Sequence, residues 1–164
     1  MYSKAAADYT PRRVKLLWIA EAPPRDSSRY FYFEEMSQYD WLFRGIMKAM
    51  FPSSDIPGQG DDKSGLLDVF KEKGAFLIDL CEDPYDLCYE KWWPRTAARI
   101  RCLDPKWIML VKVTVCDFVY PRLADMGFSG RLLTTERVPF PGSGQQRRFH
   151  EIVDPLIRAL YDRA

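Results

Sequence analysis

The strongest constraint on the fold is a nearly continuous apolar run at residues 14–20, which ends abruptly at Glu-Ala-Pro-Pro. A short apolar run that is stopped by proline is typical of a buried strand leading into a loop. A strand without polar and apolar alternation is buried on both faces, as in a parallel sheet that helices cover. The first part of the chain therefore predicts a parallel α/β protein.

The rest of the sequence alternates between strand-like and helix-like segments. Further strands are predicted at residues 75–80, 107–113 and 131–135, and helices at 41–51, 66–73, 91–103, from 115 onwards and at 149–160. Proline is expected in the first turn of the third helix (Pro94), at the close of the fourth (Pro121) and at a kink or break in the last (Pro155). This order predicts a three-layer α/β/α sandwich with a short, mainly parallel four-stranded sheet, in a single domain over residues 1–164.

Composition narrows the class of protein without naming a function. No apolar run approaches the roughly 20 residues that a membrane span needs, and the first ten residues lack the apolar core of a signal peptide, so we expect a cytoplasmic protein. The net charge of +1 neither supports nor excludes a nucleic-acid partner. The 4 cysteines form no C-x-x-C pair, so we interpret them as reduced, buried thiols and expect no metal and no other cofactor.

Three loops are candidates for the functional site, because ligands of open α/β sheets bind beyond the carboxyl ends of the strands. The first loop carries Glu-Ala-Pro-Pro at residues 21–24 and three aromatic residues at 31–33. The second begins at Asp79, where the second strand ends. The third, at residues 139–148, reads Pro-Phe-Pro-Gly-Ser-Gly-Gln-Gln-Arg-Arg and precedes the last helix.

In this order, these motifs resemble the uracil-DNA glycosylase superfamily over residues 14–160. The thermophile-type family of that superfamily reads Gly-Glu-Ala-Pro-Gly after its first strand, where this chain has Ala-Glu-Ala-Pro-Pro at residues 20–24. In the family, an aromatic residue then stacks on the flipped base, and a residue at the end of a strand reads the base edge. A Pro/Ser/Gly loop before the last helix enters the DNA groove.

The resemblance implies roles for individual residues of this chain. Glu21 and Asp79 would be catalytic, since a carboxylate in a dry pocket can stabilise the developing sugar cation and orient water. The base would be held by Ala22, Pro23, Phe31, Tyr32 and Phe33. DNA would contact Phe140, Gly142, Ser143, Gly144, Gln145, Gln146, Arg147 and Arg148, where small residues admit phosphates and arginines neutralise them. We expect Glu21, Asp79 and Ser143 to meet on one face.

This chain departs from the family pattern at several positions. Asp79 stands where the family has asparagine, and Phe140 stands where many members have histidine. Ala20 and Pro24 replace two glycines, and the cysteine pair of the iron–sulfur members is absent. An ionised Asp79 only accepts hydrogen bonds and would favour the amine of cytosine or adenine. If burial keeps Asp79 protonated, it imitates asparagine.

The sequence therefore leaves two main functions open. The first is a DNA-repair hydrolase that cleaves the N-glycosidic bond of a flipped, deaminated or damaged base. The second is a catalytically weak or inactive protein that binds nucleic acid or a nucleotide on the same fold. A small-molecule hydrolase on another α/β fold is a third reading, although no nucleophile elbow or phosphate loop supports it. We expect a monomer that binds single-stranded or mismatched DNA and no membrane.

Overall fold

A three-stranded parallel sheet forms the centre of the computed structural model, which describes residues 1–162. Its strands are β1 (Leu16–Ala20), β2 (Ala75–Asp79) and β3 (Trp107–Leu110), in the order β2-β1-β3. Every residue of β1 and β2 is buried, so both faces of the sheet are covered. This explains why neither strand shows an alternating pattern, and it confirms the prediction of a mixed α/β protein.

The fourth predicted strand, at residues 131–135, is wrong. A 3-10 turn at Ser129–Arg131 is followed by a single bridge between Leu132 and Ile108. The amide of Leu133 donates to the carbonyl of Ile108 over 3.1 Å. The hydroxyl of Thr134 then accepts from the amide of Glu136 over 3.0 Å, which turns the chain away from the sheet before a ladder forms.

Six α-helices connect and surround the strands among the described residues. They are α1 (Tyr2–Asp8), α2 (Trp41–Met50), α3 (Ser64–Glu72), α4 (Tyr89–Leu103), α5 (Val113–Asp125) and α6 (Gln146–Tyr161). The sequence analysis did not predict α1. The Asp40 carboxylate caps α2 by accepting from the amide of Phe43 over 3.0 Å.

Three prolines lie inside helices, and the predictions of Pro94 in a first turn, of Pro121 at the close of its helix and of a break at Pro155 are wrong, whereas a kink at Pro155 stays a prediction. Pro94 is in the second turn of α4, α5 continues past Pro121, and α6 is one helix through Pro155. Each proline frees the carbonyl four residues before it. All three prolines are on exposed helix faces, as are the residues with freed carbonyls (Glu90, Asp117 and Glu151), so water can satisfy those groups.

One hydrophobic core runs through the described residues, and it includes the strands and the inner faces of the helices. Two of the cysteines, Cys81 and Cys116, are buried there as predicted. Cys88 and Cys102 are exposed, so the interpretation of all four as buried thiols is wrong. Within residues 1–162, no helix has the length and apolar character to cross a membrane.

Candidate functional site

A cavity of about 410 Å³ lies at the carboxyl ends of β1 and β2. This volume is within the usual range of about 300–1,000 Å³ for small-molecule sites. The cavity walls come from the loop after β1 (residues 22–24 and 29–31), the start of α2 (40–42), the end of β2, and the loop before α6 (140, 142 and 143). The first and third loops predicted from the sequence therefore line one cavity, and the second contributes only Asp79, which is the last residue of β2.

Asp79 is the buried polar group at the end of β2. Its side chain lines the cavity, and the residue is only 6% exposed. No hydrogen bond from residues 1–162 reaches its carboxylate, and its oxygens are not fully enclosed, so they face the open space of the cavity. Burial raises the pKa of Asp79 to about 7, and the nearby Arg99 guanidinium opposes that increase. The Asp40 and Glu82 carboxylates add smaller increases. Asp79 therefore changes charge near neutral pH at a position open to a ligand.

Only one of the three predicted base-stacking residues faces the cavity. Phe31 lines it, together with Tyr30, which the sequence analysis did not select. The hydroxyl of Tyr32 donates to the carbonyl of Leu77 over 2.9 Å and accepts from its amide, so Tyr32 covers the free edge of β2. Phe33 stacks on Tyr2 with 5.6 Å between ring centroids. Ala22 and Pro23 line the cavity as predicted.

A buried ion pair supports the wall formed by the start of α2. Lys63 is fully buried, and its ammonium donates to the carbonyl of Tyr30 over 2.7 Å. The same ammonium lies 3.6 Å from Oδ2 of Asp40 and 4.2 Å from the ring centre of Phe43. Asp40 is 6% exposed and lines the cavity, and its Oδ2 has no hydrogen-bond partner within residues 1–162. The cavity thus has two buried carboxylates, Asp40 and Asp79.

The loop before α6 reaches the cavity because it approaches α2 closely at Gly45. A β-carbon at Gly45 would lie 2.6 Å from Cβ of Pro141, so only glycine admits the loop at this distance. Ser143 follows with φ 52°, a left-handed conformation that non-glycine residues rarely adopt. Gly142 and Ser143 line the cavity beside Phe140. The predicted convergence of Asp79 and Ser143 is therefore observed.

Glu21 directly follows β1 but does not line the cavity. Its carboxylate forms an ion pair with Lys112 and accepts a hydrogen bond from the hydroxyl of Tyr89. Thr114 is 3.1 Å from the same hydroxyl. Lys112 is the residue before the start of α5 and has φ 82°, so the lysine that pairs with Glu21 has an uncommon backbone conformation. Glu21 thus lies at the same end of the sheet as Asp79, with its carboxylate engaged by residues beyond β3 and by α4.

The remaining predicted DNA contacts lie at the start of α6, outside the cavity. Gly144 and Gln145 are exposed, and Gln146 is half-buried. Arg147 pairs with Glu151 over 2.9 Å. Arg148 pairs with Glu136 over 3.3 Å and approaches Glu151. Both arginines are thus partly neutralised by carboxylates of the chain.

The sequence analysis missed several residues at this end of the sheet, namely Arg29, Tyr30, Asp40, Trp41, Leu42, Lys63, Tyr89 and Lys112. For Lys112 a signal existed, since it follows β3 and the ends of parallel strands meet at one edge. The predicted strand at 107–113 was three residues too long, so Lys112 was assigned to the strand and not to the loop that follows it. The other residues lie in loops and helix starts, where no periodic pattern marks a functional side chain.

Comparison of the chain with known protein families, curated proteins and solved structures finds no match. Within residues 1–162, no three His, Cys, Asp or Glu side chains come together as metal ligands would. The expectation that no cofactor is needed stays a prediction.

Proposed function

We propose that this chain is a DNA glycosylase with a uracil-DNA glycosylase-like, three-layer fold, and that the cavity receives one base extruded from DNA. The observation that carries the proposal is Asp79, a buried carboxylate without a protein partner at the end of β2. A ligand that enters the cavity must replace the hydrogen bonds that water would otherwise make to this carboxylate. A base edge would supply those hydrogen bonds, and Tyr30 and Phe31 would supply flat surfaces beside it.

The protonation state of Asp79 decides which base edge the cavity reads. With a pKa of about 7, the side chain is protonated in most molecules at pH 6. A protonated carboxyl has one donor and one acceptor, as an asparagine amide does, and matches the carbonyl and N–H of uracil. The ionised form accepts only and favours a base with an exocyclic amine.

Hydrolysis breaks the bond between sugar C1′ and a nitrogen of the base. The base leaves with the bonding electron pair, and the oxygen of a water molecule forms the new bond to C1′. The water gives up one proton, and a nearby carboxylate can accept it while stabilising the positive sugar. Glu21 is the residue that the family resemblance assigns to this role, and its neighbour Ala22 lines the cavity.

The second candidate function is base binding without cleavage. Its support is the Glu21 carboxylate, which the Lys112 ammonium and the Tyr89 hydroxyl already engage. A paired carboxylate stabilises a positive sugar less than a free one does, because the lysine offsets its charge. If Glu21 stays engaged when DNA is bound, the cavity holds a base and releases it unchanged.

A base-release assay separates the two candidates. Oligonucleotides carrying uracil, hypoxanthine, xanthine or a mismatched thymine are incubated with the protein, and abasic sites are revealed by alkaline cleavage. We expect uracil release that is faster at pH 6 than at pH 8 and that falls by about 100-fold or more in Glu21→Gln. Glu90→Gln, a change at an exposed glutamate on α4, is the control and should leave the rate unchanged.

Two results would count against the proposal. Release of no base at either pH, from DNA that the protein binds, would favour the binding protein. A Glu21→Gln rate equal to that of the wild type would remove Glu21 from the chemistry.

A further inference from the structure

Exposed aromatic side chains are unevenly distributed over the described residues. Those more than a third exposed are Tyr39, Trp41, Tyr85, Tyr120 and Phe140. Trp41 and Phe140 line the cavity, and Tyr39 stacks on Trp41. The hydroxyl of Tyr85 forms a hydrogen bond with the backbone of Arg25, which follows the cavity residue Pro24. Single exposed aromatics are ordinary, but three of these five adjoin the cavity and a fourth is bonded to the loop that lines it, so together they indicate a binding surface. We call Tyr39, Trp41, Tyr85 and Phe140 the aromatic rim.

One side of the aromatic rim is a stacked pair continued by Phe140. The rings of Tyr39 and Trp41 are 5.9 Å apart at an angle of 21°. Gly142 lies between Trp41 and Phe140. A β-carbon at Gly142 would be 2.9 Å from Cε1 of Phe140 and 3.5 Å from Cβ of Trp41. These side chains therefore form a nearly continuous surface beside the cavity.

The most exposed member of the aromatic rim is Tyr85, at 72%. Its hydroxyl donates to the carbonyl of Arg25 over 3.1 Å, and the Arg25 guanidinium lies 5.8 Å from the centre of its ring. This contact holds Tyr85 beside the loop that contains Pro24, although Tyr85 belongs to the loop after β2.

Three arginines accompany the aromatic rim without carboxylate partners. The Arg44 guanidinium lies 5.4 Å from the ring centre of Tyr39, and Arg29 donates to the carbonyl of Tyr39 over 3.3 Å. Within the part of the chain that the structure describes, no salt bridge involves Arg25, Arg29 or Arg44. By contrast, Arg147 and Arg148 are both paired with glutamates. Compared with the arginines at the start of α6, those at the aromatic rim therefore keep positive charge that no carboxylate pairs.

We propose that the aromatic rim binds the unpaired nucleotides on either side of the base in the cavity, and that the substrate is therefore single-stranded nucleic acid. Exposed aromatic rings stack on bases of any sequence, and free arginines attract the phosphates between them. In a duplex, neighbouring base pairs stack on one another, so the ring faces that such binding needs are already covered. This proposal rests on the proposed function only in taking the cavity as the site of a base.

Binding of labelled oligonucleotides, followed by fluorescence anisotropy, tests the aromatic rim. The probes are a single-stranded oligothymidylate, a blunt duplex of equal length, and a single strand of equal length made of abasic nucleotides. We expect the oligothymidylate to bind most tightly and Trp41→Ala to weaken its binding by about 5- to 150-fold, the equivalent of 1–3 kcal/mol per stacked base. Trp41→Tyr, which keeps a ring, should retain most of the affinity.

Tyr120→Ala is the matched control, because Tyr120 is 42% exposed, as is Trp41, but lies on α5 away from the cavity. It should bind oligothymidylate as the wild type does. Equal affinity for the thymidylate and abasic strands, or for strand and duplex, would overturn the proposal. So would a homodimer that Trp41→Ala dissociates without a change in DNA affinity, since the aromatic rim would then be a protein interface.

The binding assay measures affinity and not base release, so its outcome does not depend on catalysis. Stacking without any base release in the separate assay would retain the aromatic rim and reject the glycosylase. Base release that Trp41→Ala leaves unchanged, together with unchanged DNA affinity, would reject the aromatic rim alone.

Discussion

At the scale of single residues, Lys63 shows how the wall of the cavity is held in place. Its ammonium is fully buried and joins the Tyr30 carbonyl to the Asp40 carboxylate at the start of α2. Burial lowers the pKa of Lys63 to about 8, while Asp40 acts in the opposite direction. Breaking such a pair from one side leaves a buried charge without compensation, which destabilises more than loss of a surface pair does.

Replacement of Lys63 with methionine tests this role. We expect Lys63→Met to lower the free energy of unfolding by about 3–5 kcal/mol at neutral pH in urea titrations. Lys48→Met, at an exposed position of α2, should leave it nearly unchanged. A Lys63→Met protein as stable as the Lys48→Met protein would show that the buried pair contributes nothing net.

The lowered pKa of Lys63 also makes the free energy of unfolding depend on pH. Between about pH 8 and the ordinary lysine pKa of 10.5, the unfolded chain keeps a proton that the folded chain has released. Stability from this group therefore rises with pH over that window and is lost as pH falls through 8. The free energy of unfolding of the wild type should therefore exceed that of Lys63→Met by a margin that grows as the pH rises through this window. A margin that stays constant would contradict the assigned pKa.

At the scale of elements, the loop before α6 depends on its contact with α2. The missing side chain of Gly45 allows Pro141 to approach, and this places Gly142 and Ser143 at the cavity. In a helix, alanine is intrinsically favoured over glycine by about 1 kcal/mol. At Gly45 that gain is opposed by a contact that requires the loop to move.

We expect Gly45→Ala to shift the loop and weaken base binding while lowering the free energy of unfolding by less than about 2 kcal/mol, because overpacking of about 1–3 kcal/mol exceeds the helix gain. Gly65→Ala is the control, since a β-carbon on that α3 residue would meet nothing within 4 Å. It should be neutral or stabilising and bind normally. Equal binding by the two variants would mean that the loop position does not depend on Gly45.

The elements also show where sequence reasoning succeeds and fails. β1 and β2 were predictable because both strands are buried on both faces and their apolar runs end at a proline or an acidic residue. The segment at 131–135 was also predicted as a strand, but it makes only one bridge because the turn at Thr134 redirects the chain. Likewise, a proline such as Pro155 is tolerated when it faces solvent, and sequence alone does not reveal that orientation.

At the scale of the whole molecule, the parallel sheet made part of the site predictable. The ends of β1 and β2 meet at one edge, so the sequence could bring Pro23 and Asp79 together without a structure. It could not identify Asp40 or Trp41 as cavity residues, because their positions depend on the path of the irregular loop after β1. Nor could it show that Lys112 engages Glu21.

The central claim is that the cavity holds a base that Asp79 reads, and its most direct test is a titration of the isotope-labelled protein with free uracil, followed by NMR at pH 6 and pH 8. Asp79 has a pKa of about 7, so its protonated fraction falls about tenfold between these values. We predict that uracil perturbs cavity residues and that its dissociation constant rises about tenfold at pH 8. In Asp79→Asn the affinity should be the same at both pH values. A pH dependence that persists in Asp79→Asn, or perturbations confined to residues outside the cavity, would contradict the claim.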